Sequence, residues 1–234
     1  MNLGALGHPR VHYRVIDSTN AHARALAGAG APHGTLVTAA EQSAGRGRQG
    51  RTWSAAAGRA LLCSVVIRDP PALLPLAAGV AVAEVVGASV GGVGASIKWP
   101  NDVLLDRRKV AGILVEGRPQ EGWAVVGIGL NVALRVEDFP VELRSTAGTL
   151  GLPPAAIEPT LDALLGRLER WTSAPVGSLL DAVRARDALL GREVRWAGGR
   201  GVGAGIDSGG RLVVETESGH VALDAGEVHL TAGA

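Results

Sequence analysis

Between a predicted strand and a long apolar run the chain reads Glu41-Gln42-Ser43-Ala44-Gly45-Arg46-Gly47-Arg48-Gln49-Gly50-Arg51-Thr52-Trp53. Three glycines in this Gly-Arg loop allow sharp turns and a close approach to a ligand, because they carry no Cβ atom. Three arginines alternate with them, and each guanidinium is a permanent cation that suits a carboxylate or a phosphate. The terminal tryptophan adds a flat apolar ring on which a base could stack. The pattern predicts a loop that becomes ordered around an anion, although a solvated loop or an arginine-glycine RNA-binding patch has the same composition.

The charge of the whole chain argues against general nucleic-acid binding. The net charge is +1 over 234 residues, whereas that function needs a broad basic face. The dense arginines of the Gly-Arg loop are therefore a local feature. Cys63 is the only cysteine and lies in an apolar run, which predicts a buried core thiol and not a nucleophile.

Neither a signal peptide nor a membrane span is expected. The N-terminus lacks a basic region followed by an apolar stretch. The most apolar segment, residues 73–90, contains Pro75, Glu84 and several glycines, which favours a buried helix over a membrane span. We therefore expect a cytoplasmic protein with no membrane association.

Hydrophobic periodicity predicts alternating strands and helices over residues 1–190. Strands are predicted at residues 11–16, 35–40, 59–67, 96–105, 110–116 and 123–132. Helices are predicted at residues 21–27, 72–90, 160–172 and 178–190. Residues 17–20 offer N-cap side chains to the first helix, and Pro100 predicts a kink between two strands. Gly127 and Gly129 are two positions apart, so both face one side of a strand and leave room for a group to lie against it.

The pattern of predicted elements changes at Gly191. Short strands are predicted at residues 193–197, 202–206, 211–215 and 220–223, separated by glycine-rich turns. This spacing is typical of a small β-barrel. We therefore predict an α+β protein with a catalytic domain at residues 1–190 and a small β domain at residues 191–234.

Several familiar reaction centres are missing from the sequence. Its six histidines are scattered and show no zinc-ligand spacing. No Gly-x-Ser-x-Gly motif occurs, and no phosphate loop ends in Gly-Lys-Ser/Thr. The remaining cations, small polar groups and glycine-lined strands suit a reaction in which two anions meet, because preorganised cations relieve the repulsion between a carboxylate and a triphosphate.

Four sequence blocks, taken in order, resemble the signatures of the biotin–protein ligases (BirA family). They are residues 45–51, residues 98–102, Lys109 with residues 111–116, and residues 127–132, preceded by Ser18-Thr19-Asn20. The resemblance covers nearly the whole chain. It implies a mixed sheet of the class II synthetase type flanked by helices, followed by an SH3-like barrel. It also implies that biotin and ATP form biotinyl-5′-AMP, from which biotin passes to a lysine of a biotin carboxyl carrier protein.

The resemblance assigns roles position by position. The residues it implies for biotin are Ser18, Thr19, Asn20, Gln42, Gly45, Arg46, Gly47, Arg48, Lys109, Gly112, Ile113, Gly127 and Gly129. The residues it implies for ATP or the adenylate are Arg48, Arg51, Trp53, Asn101, Lys109 and Asn131. Arg48 and Lys109 are the implied catalytic residues. Asn101 and Asp102 either shape the strand kink or bind nucleotide. Mg²⁺ would accompany ATP and be held mainly by its phosphates, with no metal site on the protein.

The resemblance also bears on partners and on alternative functions. Only 17 residues precede Ser18, so we expect a monofunctional ligase without the DNA-binding domain of many family members. A homodimer is compatible with the family, but the sequence does not locate an interface. A lipoate–protein ligase shares the chemistry but has different sequence blocks. An RNA-binding module would leave residues 98–102 and 109–116 unexplained.

Overall fold

The computed structural model describes residues 6–92, 94–224, 226 and 228–230, which form two β-sheets and four α-helices. The larger sheet contains β1 (Arg10–Tyr13), β2 (Leu36–Ala39), β3 (Ala60–Arg68), β4 (Ser96–Lys98), β5 (Asp102–Leu105), β6 (Arg108–Arg118) and β7 (Trp123–Asn131). Its strand order is β1-β2-β3-β7-β6-β5-β4. The pair β1–β2 is parallel and the other neighbours are antiparallel. The predicted mixed sheet is thus confirmed.

Helices cover the larger sheet on both faces. They are α1 (Thr19–Gly28), α2 (Leu74–Ser89), α3 (Ile157–Thr172) and α4 (Val176–Arg184). On β3, alternate residues such as Cys63 and Val65 join the main core with α2 and α3, whereas Val66 packs with α1. Both faces of β3 are therefore buried, as its continuous apolar run predicts.

The apolar segment after β3 is a core helix. Eleven of the sixteen residues of α2 are buried, which confirms the prediction from its sequence. Within the part of the chain that the structure describes, no helix is both long and apolar enough to span a membrane. Cys63 is free and 1% exposed, and burial raises the pKa of its thiol to about 12. It is the core thiol that the sequence predicts.

The smaller sheet is antiparallel. Its strands are β8 (Glu193–Trp196), β9 (Gly199–Ile206), β10 (Leu212–Thr216), β11 (Gly219–Leu223) and β12 (His229–Leu230), in the order β11-β10-β9-β8-β12. The segment around β4 joins the two sheets. The buried Trp99 indole donates from Nε1 to the Gly210 carbonyl at 3.0 Å, and the Ile97 N–H donates to the Arg186 carbonyl at 2.7 Å.

Some predicted boundaries are wrong. The predicted helix at residues 178–190 is α4, which ends at Arg184, because the following residues leave the helix to pair with Ile97 across the seam between the sheets. The predicted first strand stops at Tyr13, and Ile16 instead forms an isolated bridge with Gln42. The two-residue strand β12 was not predicted, since so short a segment carries no periodicity. The kink at Pro100 is confirmed, because β4 and β5 fold back on each other as an antiparallel pair.

Asp187, at the seam between the sheets, gives a pH-dependent prediction. Its Oδ1 accepts from the Leu189 N–H at 2.8 Å, while Oδ2 is buried and has no hydrogen-bond partner among the described residues. Burial raises the pKa of this carboxyl above its usual value. The folded state therefore binds the proton more tightly than the unfolded state, and stability falls as the pH rises from about 4, the ordinary Asp pKa.

We expect Asp187→Asn to remove this loss of stability at higher pH, since the amide is neutral and its oxygen can still accept from the Leu189 N–H. The free energy of unfolding, measured by urea denaturation at several pH values, should improve in the variant relative to wild type as the pH rises above about 4. Asp181→Asn is the matched control, because Asp181 is an exposed carboxylate on α4. A stability difference that does not change with pH would contradict this prediction.

Candidate active site

One large cavity of about 630 Å³ gathers the residues that the sequence singles out. It lies over the sheet face on which α1 also packs, beside the Gly-Arg loop. Sixteen predicted site residues line it: Ser18, Thr19, Asn20, Gln42, Arg46, Gly47, Arg48, Arg51, Trp53, Asn101, Lys109, Gly112, Ile113, Gly127, Gly129 and Asn131. Only Gly45 of the predicted set is not part of the wall. The fold therefore brings these residues together around one cavity, and their individual roles in ligand binding stay predictions.

Gly45 lies behind the wall and allows the loop to close on itself. A Cβ there would collide with the Trp53 carbonyl oxygen and lie 2.8 Å from Gln42 Nε2. The Gly45 carbonyl accepts from the Trp53 N–H at 2.9 Å, and the Gly47 N–H donates to the Arg51 carbonyl at 2.7 Å. The two arms of the loop are therefore held together by backbone hydrogen bonds, which a side chain at position 45 would break.

The N-terminus of α1 forms one end of the cavity. Ser18 caps the helix, since its side chain accepts from the Ala21 N–H. Thr19 donates to Gln42 Oε1 twice, from its backbone N–H at 2.8 Å and from its hydroxyl at 3.0 Å. Ser64 on β3 donates from its hydroxyl to Thr19 Oγ1 at 2.9 Å. These buried polar groups satisfy one another and form a fixed, hydrogen-bonded end wall.

Glu116 on β6 ties the loop to α1. Its carboxylate accepts from Asn20 Nδ2 at 2.6 Å and pairs with Arg46 at 3.1 Å and with Arg24 at 3.3 Å. The glutamate is largely shielded, with 22% of its side chain exposed, whereas the two arginines are about 40% exposed. One carboxylate thus fixes an arginine of the Gly-Arg loop beside the helix N-terminus.

A chain of polar contacts joins the loop to Lys109. Arg48 Nη1 donates to Asn101 Oδ1 at 2.8 Å, and Asn101 Nδ2 donates to Asp102 Oδ1 at 3.1 Å. The same Asp102 oxygen lies 2.7 Å from Lys109 Nζ. The two residues that the sequence left open, Asn101 and Asp102, therefore connect the two implied catalytic side chains.

The Trp53 ring rests on the glycines of the sheet. Gly112 and Gly129 are directly opposite each other on β6 and β7. A Cβ at Gly112 would lie 2.9 Å from the indole, and one at Gly129 would collide with it. The Lys109 ammonium lies 5.7 Å from the indole centroid, within range of a cation–π contact. The sequence predicts that Gly127 and Gly129 leave room for another group on this face of the sheet. At Gly112 and Gly129 that group is the Trp53 side chain of the Gly-Arg loop, and at Gly127 it is the Asn20 side chain.

The opposite wall comes from residues that sequence reasoning missed. Phe139, Leu143 and Ala147 line the cavity on a segment that also exposes Val136 and Val141. Asn131 holds this segment, because its Nδ2 donates to the Gly148 carbonyl at 2.8 Å. Apolar side chains spaced among charges at positions 134–147 were the available signal, but they match neither a helix nor a strand period.

Other missed residues bring charge or polarity. They include Ser64, Lys98, Arg107, Arg192 and His229. Arg192 and His229 come from the region of the smaller sheet, so the cavity is built from both sheets. Among the residues described, no group of three or more His, Cys, Asp or Glu side chains could hold a metal ion.

A substitution that adds one methyl group at Gly129 tests the contact between Trp53 and this strand. We expect Gly129→Ala to displace the indole, because the added Cβ overlaps it. Overpacking of this kind costs about 1–3 kcal/mol. Acrylamide quenching of tryptophan fluorescence, with the Trp53 signal isolated by subtracting a Trp53→Phe protein, should show greater exposure of Trp53 in the variant.

Gly166→Ala is the matched control for this test. Gly166 lies within α3 and has no heavy atom within 4 Å of an added Cβ. Its substitution should leave both the quenching and the thermal midpoint near or above wild type, since Ala favours a helix. Wild-type quenching of Trp53 in Gly129→Ala would show that the indole does not rest on this strand.

Two family models match the chain. Residues 12–132 match the biotin/lipoate A/B protein ligase family, and residues 189–230 match the biotin protein ligase C-terminal domain. The matched regions contain the larger sheet except for the start of β1, and the smaller sheet. The cavity takes residues from both.

Relatives and solved structures agree with these matches. The chain is 39% identical over 153 residues to the bifunctional ligase/repressor BirA of Bacillus spizizenii, covering 62% of this chain and 47% of that protein. It therefore spans about half the length of that relative. It is 36% identical over 229 residues to the biotin--[acetyl-CoA-carboxylase] ligase of Mycobacterium tuberculosis, covering 90% and 85%.

A solved structure shares the whole architecture. It is the biotin protein ligase from Aquifex aeolicus in complex with biotin and ATP, with a TM-score of 0.81, 28% identity, and coverage of 96% of this chain and 99% of that one. This match covers both sheets. The chain belongs to the biotin/lipoate A/B protein ligase family.

Proposed function

We propose that this protein is a biotin–protein ligase. It activates biotin with ATP to give biotinyl-5′-AMP and pyrophosphate, and it then transfers biotin to a specific lysine of a biotin carboxyl carrier protein. The relatives named as biotin--[acetyl-CoA-carboxylase] ligases and the Aquifex aeolicus complex support this reaction. The observation that carries the proposal is the charge of the cavity wall: seven cationic side chains face it with one carboxylate, Asp102. The cations are Arg46, Arg48, Arg51, Lys98, Arg107, Lys109 and Arg192.

The first step needs this excess of positive charge. A biotin carboxylate oxygen attacks the α-phosphorus of ATP, and the bond from that phosphorus to the bridging oxygen breaks, so that its electron pair leaves on pyrophosphate. Two anions must approach each other, and fixed cations lower the energy of that approach. Lys109 would lie beside the carboxylate and the α-phosphate, with its ammonium held by Asp102.

The second step needs protection from water. The amine of the carrier lysine attacks the carbonyl carbon of the mixed anhydride, the bond to the phosphate oxygen breaks, AMP departs and the amine loses a proton. Water would attack the same carbon, so the adenylate must be covered. The Gly-Arg loop supplies the cover, and the contact from Arg48 to Asn101 closes it across the cavity.

Different parts of the cavity wall suit different parts of biotin and ATP. The hydrogen-bonded groups of Ser18, Thr19, Asn20 and Gln42 suit the polar head of biotin. Trp53 and the apolar segment with Phe139 suit the adenine ring. Arg48, Arg51 and Lys98 also line the cavity, and their cations suit the outgoing phosphates. Mg²⁺ enters with ATP as part of the substrate, coordinated mainly by phosphate oxygens.

The domain division and the setting belong to the same proposal. We infer a catalytic domain at residues 1–190 and a small C-terminal domain at residues 191–234, in a cytoplasmic enzyme that is compatible with a homodimer. A lipoate ligase is the rival within the family. An RNA-binding module is the rival from another class, and salt-dependent retention of RNA on a filter would favour it.

Pyrophosphate exchange tests the proposal directly. Labelled pyrophosphate should enter ATP only when biotin is present, and lipoate should not replace biotin. Lys109→Ala should lower the exchange rate about 100–1000-fold, the effect typical of losing one group that stabilises transition-state charge. Arg108→Ala is the matched control, because Arg108 is an exposed neighbouring cation outside the cavity wall. Wild-type protein that exchanges with neither acid would refute adenylation at this site.

The cover formed by the loop gives a second prediction. Arg48→Gly removes the contact to Asn101 and adds a flexible residue to the loop. We expect the variant to fold and to form biotinyl-AMP but to release it early. Biotin would then appear on lysines of bystander proteins, detected with labelled streptavidin on a blot of added serum albumin. Albumin labelling no higher than with wild-type enzyme would contradict a covering role for Arg48.

A further inference from the structure

We propose that Glu116 is a positioning residue that holds the Gly-Arg loop closed, and that its ion pair with Arg46 sets how long the loop retains biotinyl-AMP. The inference rests on the proposed ligase function, and it concerns the escape of the intermediate, not its formation. Arg46 is one of the described residues that line the cavity, whereas Glu116 is not. Glu116 therefore acts on the loop and not on the reacting atoms.

The ion pair lies where the Gly-Arg loop leaves the body of the protein. At the root of the loop, the Ala44 N–H donates to the Asp17 carbonyl at 2.9 Å. Two residues later, Arg46 Nη2 donates to Glu116 Oε1 at 3.1 Å. Gly45 has no side chain, so Arg46 is the first residue beyond the root whose side chain can fasten the loop. Loss of this contact frees the loop at its base.

Glu116 is the fixed partner in this contact, and Arg46 is the movable one. Glu116 lies on β6, directly opposite Val125 of β7, and Asn20 Nδ2 donates to its Oε2 at 2.6 Å. The side chain of Glu116 is 22% exposed, whereas that of Arg46 is 45% exposed. The carboxylate thus has a set position and is partly shielded from water, and the arginine can leave it for solvent.

A second arginine competes for the same oxygen. Arg24 on α1 donates from Nη1 to Glu116 Oε1 at 3.3 Å, so two cations share one carboxylate. Like charges repel each other, and each guanidinium therefore weakens the hold of the other. Ion pairs with an exposed partner change an equilibrium by about 2–5-fold. The contact between Glu116 and Arg46 is thus a weak one that forms and breaks readily.

A weak contact suits the order of the two reaction steps. When the loop opens, the adenylate can leave, or a water oxygen can attack its carbonyl carbon. In the second case the bond to the phosphate oxygen breaks, and biotin and AMP depart with protons released to water. The loop must nevertheless open for the carrier lysine. A half-exposed arginine held by a rigid carboxylate keeps the loop closed for most of the time and still allows it to open.

The test measures pyrophosphate release in the absence of a carrier protein. Wild-type protein with biotin and ATP should release about one pyrophosphate per molecule in a burst, followed by a slow phase limited by loss of the adenylate. Glu116→Gln should raise the slow rate about 2–5-fold and leave the burst rate within about twofold of wild type. Glutamine keeps an oxygen that accepts from Asn20, but its amide donors face the arginines and cannot bind them.

Arg46→Gln breaks the same ion pair from the side of the loop. Because this side chain is half-exposed on a loop, its loss should leave the fold intact. We expect its slow rate to match that of Glu116→Gln. The double variant should be no faster than either single variant, since both remove one contact.

Arg24→Gln is the matched control. It removes the competing cation and leaves the ion pair between Glu116 and Arg46 in place. Its slow rate should be no higher than that of wild type. If Glu116 served only to hold α1 against β6, Arg24→Gln would raise the slow rate as Glu116→Gln does.

Ionic strength gives a measurement that a purely structural role would not change. Salt screens exposed charges, because the Debye length falls from about 10 Å at 0.1 M to about 3 Å at 1 M. The slow rate of wild type should therefore approach that of Glu116→Gln as NaCl is raised. The KM for biotin in Glu116→Gln should stay within about twofold of wild type at each salt concentration, since the contact with Asn20 is kept.

The outcomes separate the two proposals. Wild-type protein without a biotin-dependent burst would refute the ligase function. A normal wild-type burst with an unchanged slow rate in Glu116→Gln would overturn the inference alone. So would a slow rate that exceeds wild type by the same factor at every salt concentration, or that rises equally in Arg24→Gln. A raised biotin KM in Glu116→Gln would also overturn it, because Glu116 would then act through Asn20.

Discussion

Repulsion between like charges is the constraint on which the site depends. Seven cations around one cavity repel one another, and two carboxylates placed between them offset that repulsion. Glu116 holds Arg46 of the loop against the arginine of α1, and Asp102 holds Lys109 while it also contacts Asn101. Each carboxylate is more shielded than the cations it pairs with, so its interactions are less screened by water.

The sheet supplies the second condition, a surface without side chains. On β6 and β7, Ile113 and Ile128 belong to the main core with α2 and α3, whereas Gly112, Gly127 and Gly129 leave part of the opposite face, beside α1, without side chains. The Trp53 ring and the Asn20 amide lie directly on the backbone there. A loop that would otherwise project into solvent is thereby brought against a rigid support. The alternation of residues along two strands thus builds a core on one face and a binding surface on the other.

Much of this organisation follows from the sequence, and the exceptions have identifiable causes. The burial of β3 and α2 follows from continuous apolar runs, and the kink follows from Pro100. The end of α4 could not be predicted, because residues 185–189 are drawn into pairing with Ile97, far away in the chain. The convergence of the Gly-Arg loop, Lys109 and Asn131 was expected only from the order of the sequence blocks. Ser64 gave no signal, since a serine among valines and leucines is indistinguishable from an ordinary core position until its partner is known.

The short segment from Ile97 to Asp102 performs two tasks at once. At one end the Trp99 indole fastens it to the turn between β9 and β10, and the backbone of Ile97 pairs with the segment that precedes β8. At the other end it carries the amide and the carboxylate that reach Arg48 and Lys109. The smaller sheet therefore helps to hold this segment in place and also contributes residues to the cavity wall. Separation of the two sheets would therefore shift the side chains that contact Arg48 and Lys109, even if each sheet stayed intact.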